Sequence, residues 1–270
     1  MTTRKAISGV GSGLSLVIDV GNTSTKMVCF EGRNNVVEDI RVKDIDCKEA
    51  SDFVGKYDFS DGIYCSTVIL DDRFKSALEG FGVPMLHFQP GITPIPIRNL
   101  YATPLTLGAD RLAASIGAWM KNKRKNNLVI DVGTCITYDF VNSKGEYKGG
   151  NISPGIEMRL KALNAFTSKL PLVCAEGDVP EIGVSTETAI RSGVINGILH
   201  EIDGYISAFN HKYSQLYVYL TGGGQLNLHF SEKMPTFALA NEKGAKITLV
   251  EDRYLVPEGL NAILEYNKRK

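Results

Sequence analysis

The chain has 270 residues, 43% of them hydrophobic, so it can bury a large core in one large domain or in two of ordinary size. Thirty basic residues balance thirty acidic ones, which excludes a net field that draws the protein to nucleic acid or to an anionic membrane. The sequence therefore predicts a globular protein with no nucleic-acid or membrane partner, in which a local site holds any anion.

The cysteines and the N-terminus argue against export. The five cysteines are odd in number, scattered and without a C-x-x-C pair, a pattern typical of reduced thiols. Arg4 and Lys5 precede a mildly apolar stretch, but glycines at 9–13 break it and Asp19 ends it, unlike a signal peptide. No apolar run approaches the ~20 residues that span a bilayer. We expect a cytoplasmic protein in which residues 1–14 form a flexible leader.

The first predicted element is a β-hairpin that starts at Ser15 and turns at residues 31–35. Helices and strands then alternate at residues 52–56, 62–68, 72–79 and 83–88. Four prolines between Pro90 and Pro104 exclude regular helix and central strand, because proline lacks the N–H donor and fixes φ. Long ordered loops are often functional, and this one leads into an apolar helix over 112–119.

The second half restarts the pattern after a basic segment at residues 121–125. We predict strands at 128–132, 137–141, near Tyr147 and at 216–220, and helices at 156–166, 186–209 and 257–266. We place the domain boundary near residue 120, which gives an N-terminal domain over 15–119 and a C-terminal domain over 120–270. The final helix is a candidate to pack back on the first half.

An internal repeat carries the first functional signal. The segment Leu-Val-Ile-Asp-Val-Gly begins at Leu16 and again at Leu128. Aligning the copies pairs Asp19 with Asp131, Gly21 with Gly133, and Thr25 with Thr137. In each copy a strand delivers an aspartate that can hold a cation, and a glycine lets backbone N–H groups approach phosphate oxygens. One copy is common turn chemistry, whereas two copies indicate a phosphate site.

Other nucleotide motifs are absent from the sequence. It contains no G-x-x-x-x-G-K-[ST], V-A-I-K, H-R-D or D-F-G. The glycines of Thr221-Gly222-Gly223-Gly224, which follow a predicted strand, fit a place where the backbone approaches a flat adenine ring.

These motifs together resemble a known superfamily. Asp19-x-Gly21-Asn22-Thr23, Asp131-x-Gly133-Thr134 and Gly222-Gly223 resemble the acetate and sugar kinase/Hsp70/actin superfamily. The resemblance implies an α/β fold of two duplicated ribonuclease H-like (actin-like ATPase) domains with a nucleotide cleft between them. The run from Tyr101 to Arg111, Y-x-x-P-x-x-L-G-x-D-R, is more specific. Together with G-G-N-I-S-P-G at 149–155 and T-x-x-A-I-x-x-G at 186–193, it resembles type III pantothenate kinase.

The resemblance implies a reaction, its cofactors and its residues. The reaction is ATP-dependent phosphorylation of the primary hydroxyl of pantothenate to 4′-phosphopantothenate, the first step of coenzyme A biosynthesis, by a homodimer. The implied cofactors are ATP with Mg²⁺ and a monovalent cation, K⁺ or NH₄⁺. The implied ATP-binding residues are Asp19, Val20, Gly21, Asn22, Thr23, Ser24, Thr25, Lys26, Thr134, Gly222 and Gly223. The implied pantothenate-binding residues are Tyr101, Gly108, Ala109, Asp110, Arg111 and Thr186.

Three carboxylates receive distinct implied roles. Asp110 would accept the proton of the hydroxyl, Asp131 would bind the monovalent cation, and Asp19 would bind Mg²⁺ through water. Structural alternatives stand beside these roles. Lys26 also fits an exposed strand lysine, and Asp110 with Arg111 also fits a helix N-terminal acid beside a surface base.

One position departs from the family, and two other functions remain open. Ser185 stands where the family commonly has asparagine before the threonine that corresponds to Thr186. A transcription-associated accessory protein and a kinase for another small hydroxyl compound, such as a sugar, are the alternative functions on this fold. The complete set of motif residues favours the enzyme, and the compact chain argues against a sugar kinase, which usually needs larger insertions.

Overall fold

The computed structural model describes residues 13–213, 215–223 and 247–269. The chain forms two compact units: unit 1 spans Met1–Lys121 and Tyr254–Lys270, and unit 2 spans Asn122–Arg253. The final helix therefore belongs to the first unit, although the sequence analysis assigned it to the domain over 120–270. Residues 1–12 of the expected leader lie outside the described residues, and the first strand already begins at Leu14.

Unit 1 is built on a five-stranded mixed sheet. Its strands are β1 (Leu14–Val20), β2 (Thr25–Glu31), β3 (Asn35–Val42), β4 (Phe59–Ser66) and β5 (Met85–His87). Their order is β3-β2-β1-β4-β5, with antiparallel pairing among β1, β2 and β3 and parallel pairing of β1 with β4 and of β4 with β5. The central strand β1 buries Leu16, Val17 and Ile18 completely, which explains its unbroken apolar run.

Three helices of unit 1 come before the chain enters unit 2: α1 (Lys48–Gly55), α2 (Asp72–Gly80) and α3 (Ala109–Lys121). The loop before α3 contains a two-residue strand, β6 (Arg98–Asn99), and a 3₁₀ turn at Pro104–Thr106. α3 begins earlier than the apolar run from Leu112 predicts. Its first turn holds Asp110, an acidic residue that the positive end of the helix dipole favours.

Unit 2 repeats the sheet of unit 1. Its strands are β7 (Asn126–Val132), β8 (Cys135–Val141), β9 (Glu146–Pro154), β10 (Leu216–Thr221) and β11 (Thr248–Glu251). Their order is β9-β8-β7-β10-β11, and the antiparallel and parallel pairings match those of unit 1 strand for strand. Its helices are α4 (Ile156–Ala165) and α5 (Thr186–Lys212). The predicted duplication is confirmed.

The two repeated hairpins differ by one residue. In the β1–β2 ladder Asp19 lies opposite Lys26, whereas in the β7–β8 ladder Asp131 lies opposite Thr137. The turn of unit 2 is therefore one residue shorter. The sequence alignment of Thr25 with Thr137 is wrong for this reason, and the ladder matches Lys26 with Thr137 instead.

The last helix, α6 (Leu255–Asn267), packs on α3 within unit 1. Leu112 of α3 and Leu260 of α6 are fully buried, and Lys121 Nζ lies 2.6 Å from Glu258 Oε2. Burial of such apolar side chains stabilises the pair by about 1.5–3 kcal/mol for each residue. No helix of the described part of the chain is long and apolar enough to cross a membrane.

Candidate functional site

The turn between β1 and β2 has the compact geometry that a phosphate site needs. The Gly21 backbone N–H donates to the Ser24 carbonyl at 3.1 Å, and Asn22 and Thr23 are exposed at the tip. Arg41 Nη1 donates to Ser24 Oγ at 2.9 Å and so brings a positive charge to the turn. Successive backbone N–H groups beside a basic side chain form a concave surface that suits anions.

Arg41 was missed by the sequence analysis. It lies on β3 directly opposite Lys26 of β2. The hairpin register would have revealed it, but that register depends on a bulge near Cys29 that the apolar pattern does not indicate.

The carboxylate of Asp19 lies at the carboxyl end of β1, partly buried. The Cys65 Sγ lies 3.5 Å from Asp19 Oδ1 and donates to it, because the two residues are partners in the parallel ladder. The pKa of Asp19 is raised to about 6, first by burial and then by the charge of Asp110, and Cys65, Lys26 and Arg41 offset part of that rise. The structure therefore brings Asp19 and Asp110 together, although 91 positions separate them in the sequence.

Lys26 is buried, with 8% of its surface exposed, so the alternative of an exposed strand lysine is wrong. Its Nζ lies 4.3 Å from the centroid of the Tyr254 ring. The charge of Lys26 also lowers the pKa of Asp19, which lies opposite it in the ladder. The positive charge of Lys26 is therefore buried, and it lies close to Asp19.

The motif residues from Tyr101 to Arg111 lie in the loop before α3 and in the first turn of that helix. Asp110 Oδ1 accepts a hydrogen bond from the Arg111 backbone N–H at 2.8 Å, next to Gly108 and Ala109. Arg111 is 7% exposed, so it is not a surface base, and its guanidinium carbon lies 6.0 Å from the Tyr101 ring centroid. A buried guanidinium beside an aromatic ring is well suited to bind a carboxylate.

In unit 2 the Asp131 carboxylate lies against the end of β10. Thr221 is its partner in the parallel ladder, and Gly222 follows with a φ of +98°. A Cβ on Gly222 would lie 2.4 Å from both Asp131 Oδ1 and the Val132 carbonyl oxygen. Only glycine leaves room for the backbone to lie this close to Asp131 Oδ1, a contact that neither the repeat nor the glycine motif predicts. Gly223 is exposed beside them, and Gly224 lies outside the described residues.

The second turn is enclosed by the start of α4. The Gly133 N–H donates to the Cys135 carbonyl at 3.0 Å, and the Gly155 N–H donates to the Thr134 carbonyl at 3.1 Å. A Cβ on Gly155 would lie 2.4 Å from the Gly133 oxygen and 2.5 Å from the Thr134 oxygen. The motif G-G-N-I-S-P-G thus ends on a glycine that contacts the turn, a role that the sequence analysis did not assign.

Thr186 is the exposed first residue of α5. Ser185 caps the helix: its Oγ accepts from the Thr188 N–H at 3.2 Å, and its own N–H donates to Thr188 Oγ1 at 3.0 Å. Serine and asparagine are both strong N-caps, which gives a physical reason for the departure from the family at this position. Within the described residues, no hydrogen bond joins Thr186 to Asp131 or Thr134.

Comparisons with known proteins agree with the motifs. Residues 15–208 match the family model described as type III pantothenate kinase. A type III pantothenate kinase of Bacteroides fragilis is 45% identical over 254 residues, covering 94% of this chain and 98% of the relative. The chain belongs to the type III pantothenate kinase family. Membership in this family agrees with the motif run from Tyr101 to Arg111, which ends in the first turn of α3.

Solved structures share the fold of this family member at low identity. A Campylobacter jejuni protein proposed to be a Baf family transcriptional activator has a TM-score of 0.56 at 19% identity, covering 94% of this chain and all of that one. A ROK family glucokinase from Streptomyces griseus, in complex with glucose and AMPPNP, has a TM-score of 0.52 at 10% identity, covering 96% and 100%. These likenesses show the fold of the chain and nothing more specific.

Proposed function

We propose that this pantothenate kinase transfers the γ-phosphoryl group of ATP to the primary hydroxyl of pantothenate, with Asp110 as the proton acceptor. Its family makes it an ATP-dependent kinase of coenzyme A biosynthesis. The observation that carries the residue assignment is that Asp110 lies close enough to Asp19 in unit 1 for its charge to raise the pKa of Asp19. Phosphoryl transfer requires positioning, charge neutralisation and a group that takes the proton of the attacking hydroxyl, and two neighbouring carboxylates divide these tasks.

In this proposal Asp19 to Lys26 bind the phosphates of ATP. The compact turn, its exposed backbone and the charges of Lys26 and Arg41 support that role. Thr134 binds the terminal phosphate, and Gly222 and Gly223 lie near the adenine. Asp19 holds Mg²⁺ through water. Among the described residues no cluster of three or more metal-binding side chains occurs, which fits an ion held by one or two carboxylates plus phosphate oxygens.

Asp131 is proposed to bind the monovalent cation, K⁺ or NH₄⁺. Its Oδ1 and the Val132 carbonyl oxygen lie near one point beside Gly222, and oxygen atoms are the ligands that hard cations prefer. In Asp131→Ala we expect ATP use to weaken and excess potassium to restore part of it. A potassium response equal to that of the parent enzyme would contradict the role.

Pantothenate is proposed to lie at the start of α3. The buried Arg111 binds its carboxylate through a charge-assisted pair, Tyr101 packs beside that guanidinium, and Gly108 and Ala109 line the approach to Asp110. Thr186 is assigned to the same substrate only by the family motif.

We further propose that the enzyme is a cytoplasmic homodimer that assembles through unit 2. Large apolar side chains are exposed on this unit: Ile152, Met158, Phe166, Leu172, Ile182 and Val184. They are six of the ten large apolar side chains that are exposed among the described residues, and interaction surfaces use such side chains where they form a patch. Sedimentation of the parent and of a Phe166→Glu variant tests the dimer, and a monomeric parent at micromolar concentration would overturn it.

The test of the reaction compares ADP formation with and without pantothenate, in Mg²⁺ and potassium, for the parent and for Asp110→Asn. We expect pantothenate to stimulate ADP formation and Asp110→Asn to lower kcat by about 10²- to 10⁴-fold, the range for a lost acid–base group. Asp72→Asn, an exposed carboxylate of α2, is the matched control. If pantothenate adds nothing to background hydrolysis, the substrate assignment fails.

A further inference from the structure

The aromatic ring of Tyr254 covers the positive charge of Lys26. Tyr254 is the residue with which the chain re-enters unit 1, and it immediately precedes α6. Its ring centroid lies 4.3 Å from Lys26 Nζ, well inside the ~6 Å limit for a cation–π contact. Because Lys26 is buried, this contact is partly removed from water and is stronger than one on the surface.

The ring itself is held in place. Tyr254 Oη donates a hydrogen bond to Asp39 Oδ1 at 2.5 Å, and Asp39 lies on β3, next to the strand that carries Lys26. The backbone end of Tyr254 is fixed by α6, and its hydroxyl end is fixed by the sheet. Such a ring is a rigid support for an ammonium group that otherwise ends a flexible four-carbon chain.

The position of this ammonium group matters because Lys26 lies opposite Asp19. We propose that Tyr254 is a positioning residue for the kinase reaction: its ring holds the Lys26 ammonium group beside Asp19 at the phosphate turn. This inference rests on the proposed function, in which Lys26 binds the phosphates of ATP. Neither the repeat nor the family motifs point to Tyr254, which follows Gly223, the last motif residue, by 31 residues.

α6 has anchors that do not involve Tyr254. Asn261 Nδ2 donates to the Gly32 and Arg33 carbonyls at 2.9 and 2.8 Å, and Lys121 pairs with Glu258. Removing the ring should therefore leave the helix in place while removing the cation–π contact of Lys26. This separates a positioning role from a purely structural one.

The experiment measures kcat/KM for ATP in five variants, one of which is the double variant of Lys26→Met and Tyr254→Leu. Tyr254→Leu is expected to lower it about tenfold, the size of a partly desolvated cation–π contact. Tyr254→Phe keeps the ring and removes the hydroxyl that donates to Asp39, so its loss should be less than about threefold. In a Lys26→Met background, Tyr254→Leu should cause less than about a twofold further loss, because no ammonium group remains to be positioned. Asn261→Ala, which weakens the other anchor of α6, controls for a general effect of the helix.

Each result decides a separate question. An equal tenfold loss from Tyr254→Leu with and without Lys26 would mean a structural role and overturn the inference, as would parental kinetics in Tyr254→Leu. If Lys26→Met itself leaves kcat/KM unchanged, the proposed ATP contact of Lys26 fails, and the inference fails with it, while loss in Asp110→Asn still supports the reaction. If Tyr254→Leu does not fold, Tyr254→Met replaces it, since methionine fills irregular apolar space without a ring.

Discussion

The strand ends that carry Asp19 and Asp131 occupy the same place in two matching sheets, yet their carboxylates have different surroundings. Asp19 lies near a second carboxylate, Asp110, and its pKa is raised to about 6 by burial and then by that neighbour. Asp131 lies against the backbone at Gly222. The two units therefore share the same sheet but differ at these strand ends. At the end of β1 a second negative charge lies near Asp19, whereas at the end of β7 the backbone at Gly222 crowds Asp131.

The difference indicates how each half of the chain serves a kinase. A strained pair of carboxylates is typical of a site that later receives positive charge or gives up a proton. A crowded backbone fixes a geometry and leaves little room for change. Removing the charge of Asp19 should therefore stabilise the protein, and adding atoms at Gly222 should destabilise it.

The largest expected effect is at the second strand end. Gly222→Ala adds a Cβ 2.4 Å from Asp131 Oδ1 and from the Val132 oxygen, at a φ of +98°. Left-handed strain and overpacking each cost ~1–3 kcal/mol, so the free energy of unfolding should fall by about 4 kcal/mol. Urea unfolding measures it. The control is Gly21→Ala in the first turn, where a Cβ would meet only the Ser24 oxygen at 3.3 Å. Equal losses in the two variants would remove the distinction between the turns.

A smaller loss is expected where α4 meets the second turn. Gly155→Ala places a Cβ 2.4 and 2.5 Å from two backbone carbonyl oxygens, but at an ordinary φ of −73°. Overpacking alone should lower the free energy of unfolding by about 2–3 kcal/mol. Gly204→Ala, at an exposed position inside α5, should instead raise it by about 0.5–1 kcal/mol through helix propensity. If Gly155→Ala is as stable as the parent, the contact between α4 and the turn is not tight.

Asp19→Asn should instead raise the free energy of unfolding. The pKa of Asp19 rises from 3.8 to about 6 on folding, so between these values the folded state binds more protons than the unfolded state. Ionised Asp19 therefore destabilises the fold increasingly as pH rises from 4 to 6, and fully above pH 6. Asparagine removes that cost, and allowing for partial exposure we expect a gain of about 1–2 kcal/mol at pH 7.5 and almost none at pH 4.

The measurement is the difference between Asp19→Asn and the parent in urea unfolding across this pH range. Activity should fall in the same variant if Asp19 holds Mg²⁺ as proposed, because a neutral amide is a weaker ligand than a carboxylate. A difference that does not change with pH would show that Asp19 is not strained. A stabilised but inactive variant is the expected mark of a functional site.

The sequence predicted much of this fold, for identifiable reasons. The repeated Leu-Val-Ile-Asp-Val-Gly predicted the duplication and the strand that opens each unit, since a six-residue identity in two apolar strands leaves few alternatives. The first hairpin, however, already turns between Val20 and Thr25, before the turn predicted at 31–35. The proline loop before α3 was predicted because proline excludes regular structure. β11 was not predicted, since four residues show too little periodicity.

The contacts around the candidate site were harder to predict. The approach of Asp110 to Asp19, of Tyr254 to Lys26, and of Arg41 to Ser24 depends on how distant strands and helices pack. Local patterns carry no information on such distances. The family motifs include both Asp19 and Asp110. They include neither Tyr254 nor Arg41, so the contacts of these two residues were found from the structure.

The smallest expected effect concerns the start of α5, where Ser185 caps the helix. Ser185→Asn should change the free energy of unfolding by less than about 0.5 kcal/mol, because both residues cap helices well, whereas Ser185→Ala should cost about 1 kcal/mol. If position 185 serves only as a cap, KM for pantothenate stays within about twofold of the parent in Ser185→Asn. A larger change in KM, with stability unaltered, would mean that residue 185 contacts the substrate. The start of α5 would then be part of the substrate-binding site.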